Sequence, residues 1–240
     1  MRTANEDYFL PQQPHESEKL FVLCDGMGGL ALGEIASKMT AESVYHFIEQ
    51  HPPPNTQLPA LSYFNTAIAF AHRQLLEFLS AGQLSDKMGT TLALLYTHTQ
   101  GVCLLHLGDS RIYHIRNGRI LHKTRDHRFV EELVVQGLIT EKEAQVHPWR
   151  NALSKALVAY RNHEEIQQHP SLFYVQDVQP EDYFFLCTDG VFEQMTDYLL
   201  IGILQKNTLA IQKIQEILDI CHERTYDNYS GFLLKVQEVL

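Results

Sequence analysis

Six acidic residues stand where this chain changes direction: Glu6, Asp7, Asp25, Asp109, Asp189 and Asp227. Three of them follow or close a run of apolar residues. Leu20-Phe21-Val22-Leu23-Cys24 breaks into Asp25-Gly26-Met27-Gly28-Gly29, Val102–Leu107 ends in Gly108-Asp109-Ser110, and Tyr183–Cys187 ends in Thr188-Asp189-Gly190. Five apolar residues in a row suit a strand buried on both faces, and an acid where such a strand emerges is aimed outward from a rigid base. One such junction reads as a strand and a Gly-rich turn; three carry a signal. Like charges about 4 Å apart repel by on the order of 4 kcal/mol at an effective dielectric of 20, so converging carboxylates call for cations. Oxygen-only ligands favour hard divalent ions such as Mg²⁺ or Mn²⁺. Two such ions about 3.5–4 Å apart, bridged by one carboxylate, would ionise a water for in-line attack on phosphorus, with Asp25 the best bridge. The sequence holds no His-Glu-x-x-His, no Cys-x-x-Cys and no Walker A loop, which excludes the zinc-hydrolase and P-loop readings.

The elements that must position these acids follow from periodicity. Polar Asn5-Glu6-Asp7 before Tyr8-Phe9, a Pro-containing loop and then the Leu20 strand predict a hairpin that brings Glu6 and Asp7 to Asp25. Two amphipathic helices follow, Gly33–Gln50 and one carrying Leu61, Phe64, Ile68, Ala71, Leu75 and Leu79, laid antiparallel on one sheet face. Glu34 opens the first, where an acid is favourable. Strands at Thr90–Tyr96, Val102–Leu107, Arg111–Arg116 and Arg119–His122 form an antiparallel meander, its last turn marked by Asn117-Gly118. Residues 129–170 break the pattern with short helical pieces (Phe129–Gln136, Glu141–His147, Asn151–Leu157) and read as an insertion over the sheet. The strand Tyr183–Cys187, helices Thr196–Gln205 and Thr208–Tyr226, and a last strand Gly231–Val236 complete the order.

Bulk properties narrow the class. With 240 residues, 45% hydrophobic and 20% charged, the chain has the composition of a soluble globular protein and makes one large domain or two small ones, with ample core. The formal net charge of −10 argues against nucleic acid as a general partner. No apolar run reaches the ~18 residues of a membrane span, and the first residues show no signal-peptide pattern. Cys24, Cys103, Cys187 and Cys221 are widely spaced, so buried reduced thiols and a cytoplasmic location are expected. His127 beside Asp126 reads as a structural hydrogen-bonding residue, Thr90 and Thr91 as strand packing, and the eight-residue recurrence of His98, His106, His114 and His122 as coincidence.

Taken in order, Arg2-x-x-Asn5-Glu6-Asp7, Asp25-Gly26-Met27-Gly28-Gly29, Gly33-Glu34, Gly89-Thr90-Thr91, Gly108-Asp109-Ser110-Arg111, Asp126-His127, Thr188-Asp189-Gly190 and Asp227-Asn228 resemble the metal-dependent protein phosphatases of type 2C, most of all the compact bacterial members. The resemblance covers nearly the whole chain. It implies an α+β fold, a four-layer αββα sandwich of two antiparallel sheets flanked by helix pairs, with residues 129–170 as a flap subdomain. It further implies that Asp25 bridges two core Mn²⁺ or Mg²⁺ ions and that Asp189 and Asp227 complete the first. Glu6 and the Gly26 carbonyl would position the second, Asp7 would act through water, and Asp109 would join Asp189 at a third. Arg2 would grip the substrate phosphate as a bidentate fork. The implied activity is hydrolysis of phosphoserine and phosphothreonine in proteins, opposing a bacterial Ser/Thr kinase, by a monomer. A non-catalytic phosphoprotein-binding module of the same fold is the alternative, and the full set of acids disfavours it. Three departures stand out: Met27 where many eukaryotic members carry His, Val158 where a glycine is usual, and Arg2 without the short strand that usually precedes it, so that either the start is truncated or Arg2 is less firmly held.

Overall fold

The structure, a computed structural model, describes residues 4–27, 32–82, 85–161 and 169–238. Its first sheet has the order β1-β2-β4-β5-β9, built from β1 (Asp7–Leu10), β2 (Leu20–Asp25), β4 (Leu92–His98), β5 (Gly101–Leu107) and β9 (Ser171–Val175). The second has the order β11-β10-β6-β7, from β6 (Arg111–Arg116), β7 (Arg119–Lys123), β10 (Tyr183–Cys187) and β11 (Gly231–Lys235). Every neighbouring pair in both sheets is antiparallel. A two-stranded ribbon joins β3 (Lys87–Thr90) to β8 (Leu157–Tyr160).

The continuous apolar runs are explained by burial on both faces. From β2, β4 and β5, Leu20, Val22, Leu92, Leu94, Cys103 and Leu105 pack outward beneath α1 (Gly33–Gln50) and α2 (Leu61–Ala81). The alternating residues Phe21, Leu23, Ala93, Leu95 and Leu104 face inward against Ile112, Phe184, Leu186 and Phe232 of the second sheet. Tyr113, Phe185 and Cys187 look outward again, onto Leu200 and Ile203 of α6 (Asp197–Leu204) and Ile217 and Cys221 of α7 (Ala210–Arg224). Three apolar layers between four layers of elements make the expected αββα sandwich. All four cysteines are buried and free. Among the described residues, no helix is long and apolar enough to cross a membrane.

Local signals behave as their chemistry dictates. Asn117 (φ 50°) and Gly118 (φ 69°) both adopt the positive φ that a type I′ turn needs. The β1–β2 hairpin forms as expected and pairs Asp7 with Asp25. Two expectations need correction. The predicted strand Thr90–Tyr96 is divided at Thr91, so β3 leaves the first sheet to pair with β8. Residues 151–156 are not helical, and Leu157–Tyr160 is a strand, because Leu157 and Ala159 are buried while Val158 and Tyr160 are not. That period of two is strand chemistry. The strand β9 was not foreseen; it edges the first sheet beside β5, pairing Leu104 with Phe173. Helices α3 (Phe129–Val135) and α4 (Glu141–Val146) lie where short helical pieces were expected, α4 with a Thr140–Glu143 capping box.

The break at Thr91 matters for the site. Thr91 Oγ1 accepts a hydrogen bond from the Asp25 backbone N–H (3.0 Å) and shares a second with Ser110 Oγ (2.7 Å), in a fully packed position. Thr91→Val should leave the Asp25 N–H without its acceptor and cost about 1–3 kcal/mol in urea denaturation, whereas Thr91→Ser should recover most of it. Equal stability of the two variants would contradict this role.

Candidate metal centre

The acids are assembled from both sheets. Asp25 ends β2, and its backbone is held on both sides. Its carbonyl accepts from the Thr91 N–H (2.9 Å) and from Thr90 Oγ1 (2.8 Å), while its own N–H is held by Thr91 as above. Thr90 and Thr91, expected only to pack, therefore set the backbone that carries the central acid. The next residue, Gly26, donates to the Glu6 carbonyl (2.9 Å), and a Cβ there would collide with the Gly33 carbonyl. Glycine is required at 26 because two segments of backbone pass that closely. A Cβ at Gly33 would stand 2.5 Å from Glu6 Oε1, so the Glu6 side chain lies against the start of α1. Met27 donates its N–H to the Gly89 carbonyl (3.1 Å), and its sulfur lies close against Gly89.

The second sheet supplies the opposing half. Thr188, directly before Asp189, donates its hydroxyl to Asp7 Oδ2 (2.9 Å) and accepts from the Ser230 N–H (3.0 Å). Asn228 Oδ1 accepts from the Glu6 N–H (2.9 Å), and its own N–H donates to Asp227 Oδ1 (2.7 Å). A Cβ at Gly190 would run into the Asn228 carbonyl and sit 3.4 Å from Asp227 Cβ, so the turns carrying Asp189 and Asp227 are pressed together. Asp189 itself opens a short turn of helix, α5 (Asp189–Phe192).

The electrostatics follow from this crowding. Burial, then the charges of Asp7, Asp189 and Asp109, raise the Asp25 carboxyl well above the usual carboxylate range. Burial together with the charges of Asp109, Asp227 and Glu193 pushes Asp189 up to about 7, with Arg128 opposing. Crowded, buried carboxyls hold their protons to higher pH, which is how like charges are tolerated without a cation. Among the described residues, no group of three His, Cys, Asp or Glu side chains stands in an arrangement that could hold an ion as it is. Asp7 is held instead by Thr188 and Asp109 by Arg128. The donor set nonetheless fits a hard divalent ion. It is all oxygen, and burial together with the charges of neighbouring acids raises Asp25 and Asp189, a crowding that a cation relieves.

Behind Asp109 lies an arrangement not foreseen from the sequence. Arg111 forks onto Asp126, with Nε and Nη2 each 2.8 Å from a carboxylate oxygen. Arg128 grips Asp109 Oδ2 through Nε (2.8 Å) and Nη2 (2.7 Å). The Phe192 ring lies under both guanidiniums, 3.6 Å from that of Arg111 and 5.5 Å from that of Arg128. A signal for this existed: Asp109-Ser110-Arg111 and Asp126-His127-Arg128 are two Asp-x-Arg units, and they pair crosswise. His127 is structural, as expected, though not through Asp126. Its Nδ1 accepts from the Gly108 N–H (3.1 Å), its Nε2 lies 3.0 Å from Ser171 Oγ, and burial lowers its pKa to about 3. Gly108, at φ +109°, packs against Thr91 where a side chain would clash. Glu6, Asp7, Asp25, Gly26, Asp109, Asp189 and Asp227 thus meet at one end of the sandwich. Arg2, Gly28 and Gly29 lie outside the described residues.

Comparisons with known proteins point to one family. Residues 2–225 match the family described as protein phosphatase 2C. The protein phosphatase PhpP of Streptococcus pneumoniae is 31% identical over 244 residues, covering 99% of this chain and 94% of its own. The serine/threonine protein phosphatase PstP of Mycobacterium tuberculosis is 29% identical over 205 residues, 85% of this chain; the match takes up 37% of PstP's own length. The chain thus spans little more than a third of that relative. The catalytic domain of PstP, solved in complex with two manganese ions, superposes with a TM-score of 0.78 at 26% identity, over 99% of this chain and 94% of that one. The serine/threonine phosphatase Stp1 of Staphylococcus aureus superposes with a TM-score of 0.84 at 28% identity, over 99% and 91%.

Crowding has a measurable consequence. A carboxyl whose folded pKa is raised to about 7 binds more protons folded than unfolded between about pH 4 and pH 7, so its ionisation costs stability as pH rises through that window. With metal chelated, Asp189→Asn should therefore be more stable than the parent at pH 8, with the gap closing as pH falls towards 5. Adding Mn²⁺ should reverse the order. Urea denaturation at pH 5, 6, 7 and 8 measures the gap; a constant gap would contradict the crowded arrangement.

Proposed function

The chain belongs to the protein phosphatase 2C family, and on that premise we propose that it is a metal-dependent phosphatase acting on phosphoserine and phosphothreonine in proteins. The observation that carries this reading is the convergence of Asp25, Asp189, Asp7 and Asp109 into one mutually repelling set at the ends of two facing sheets. Asp25 would bridge two ions, Asp189 and Asp227 would complete the first, Glu6 and the Gly26 carbonyl would hold the second, and Asp7 would act through water. Asp109 would serve with Asp189 at a third. When bound, Mn²⁺ or Mg²⁺ supplies charge neutralisation, an activated water and polarisation of the phosphoryl oxygens.

The chain's own residues do the rest. The Thr90 and Thr91 bonds fix the Asp25 backbone, and Thr188 orients Asp7 through its hydroxyl. Arg2 would hold two phosphate oxygens with its planar fork, a geometry no lysine reproduces. Met27 has no proton to give, and His127 has both ring nitrogens engaged away from the acids, so neither serves as the general acid. Residues 129–170, of which 162–168 lie outside the described residues, would form a flap beside the site. In support, Ser154 N–H ties that segment to the His127 carbonyl (2.8 Å), beside the Asp126–Arg128 end of the acid cluster, and Phe129 N–H closes the segment on itself at the Ala152 carbonyl (3.0 Å). It presents Val135, Leu138, Val146 and Trp149 to solvent, surface able to meet a protein substrate. The named relatives come from bacteria, which supports a bacterial Ser/Thr kinase as the opposing activity. A monomer in the cytoplasm fits the rest of the reading.

Purified protein should hydrolyse p-nitrophenyl phosphate and a phosphothreonine peptide only with Mn²⁺ or Mg²⁺ present. Asp25→Asn should lower kcat/KM about 10³-fold, the several kcal/mol that a metal site contributes to its transition state. Arg2→Ala should act mainly on KM. Hydrolysis that survives chelation, or that is unchanged in Asp25→Asn, would overturn the reading.

A further inference from the structure

Asp109 is buried beside the acid cluster and already holds a cation made of protein. Both bonds from Arg128 fall on the same oxygen, Oδ2, and both side chains are nearly covered, at 13% exposure for Arg128 and 8% for Asp109. Arg128 also has a second place to go: its Nε lies 3.7 Å from Asp126 Oδ2. Asp126 is shared with Arg111, so two arginines and two aspartates form a neutral set over the Phe192 ring. Phe192 is three residues from Asp189 on the same short helix, which places this set against the first-ion acid. Arg128 thus serves as a counter-charge to Asp109 and reaches Asp189 by charge as well.

A divalent ion between Asp109 and Asp189 and a guanidinium on Asp109 Oδ2 exclude one another by charge and by occupancy of the same lone pairs. From this we propose that Arg128 is the resident counter-cation of Asp109, a positioning residue that an incoming divalent ion displaces towards Asp126, and that it thereby sets the affinity of the ion site at Asp109. The proposal rests on the reading of Asp109 and Asp189 as ligands. Linkage makes it reciprocal: whatever Arg128 takes from ion affinity, the ion takes from the Arg128–Asp109 bond, with couplings of this kind typically worth about 5–150-fold.

Mn²⁺ binding, followed by electron paramagnetic resonance of free Mn²⁺, tests it without reference to turnover. In Arg128→Gln the weakest site should tighten by about 10-fold or more against the parent, and the gain should vanish in the Asp109→Asn/Arg128→Gln double variant. Arg128→Lys, which keeps the charge and loses the fork, should fall between. Superimposable isotherms for parent and Arg128→Gln would overturn the proposal while leaving the metal-site reading intact. No Mn²⁺ bound by either would overturn both. Should Arg128→Gln not fold, the parent protein still decides: the ¹⁵N resonance of Arg128 Nε, identified by its loss in Arg128→Lys, or by elimination against the other arginines, should shift on titration with Mg²⁺. An unmoved resonance at saturating Mg²⁺ would overturn the proposal.

Discussion

Everything at the working end of this protein depends on one electrostatic fact: carboxylates that repel one another are held together by a scaffold that does not give way. Three apolar layers clamp β2 and β10 from both faces, so the strands cannot retreat when the acids at their ends ionise. Burial and the neighbouring charges are expressed instead as raised carboxyl pKa values, with Asp189 pushed up to about 7 and Asp25 well above the usual carboxylate range. A divalent cation answers that situation directly, because it replaces the proton and is drawn in by the charges that resist each other.

The two sheets are tied at this end by side chains of modest size. Thr188 of the second sheet bonds Asp7 of the first, and Asn228 bonds the Glu6 backbone. Within the first sheet Thr91 leaves the ladder so that its hydroxyl can hold Asp25, and Gly108 at positive φ gives Thr91 room. None of these residues carries charge. They convert a stack of hydrophobic layers into a fixed constellation of oxygens, which is what pre-organisation of a metal site requires.

Much of this was legible in the sequence, for identifiable reasons. Unbroken apolar runs ending in acids gave the buried strands and the converging carboxylates, because burial on both faces and a strand-end charge are each visible one-dimensionally. Helix periodicity placed α1 and α2, and Asn117-Gly118 placed a hairpin. What stayed hidden depends on pairing between distant segments. The stretch after Asn151 was read as helix, although Leu157 and Ala159 alternate with exposed neighbours, because four residues carry too short a period. The crosswise Asp-x-Arg pairs were written twice in the chain, yet nothing local says which aspartate each arginine meets. The histidine recurrence reflects meander register in part: His114 stands opposite His122 on β6 and β7, and His114 bonds Asp182 (2.9 Å).

The central claim is that Asp25 is the shared ligand of a two-ion centre. A crystal of the protein grown with Mn²⁺ and measured at the manganese absorption edge tests it most directly. The account predicts two anomalous peaks about 3.5–4 Å apart with Asp25 between them, Asp189 and Asp227 on one side and Glu6 and the Gly26 carbonyl on the other. Manganese bound elsewhere, or no peak within coordination distance of Asp25 at saturating Mn²⁺, would contradict it.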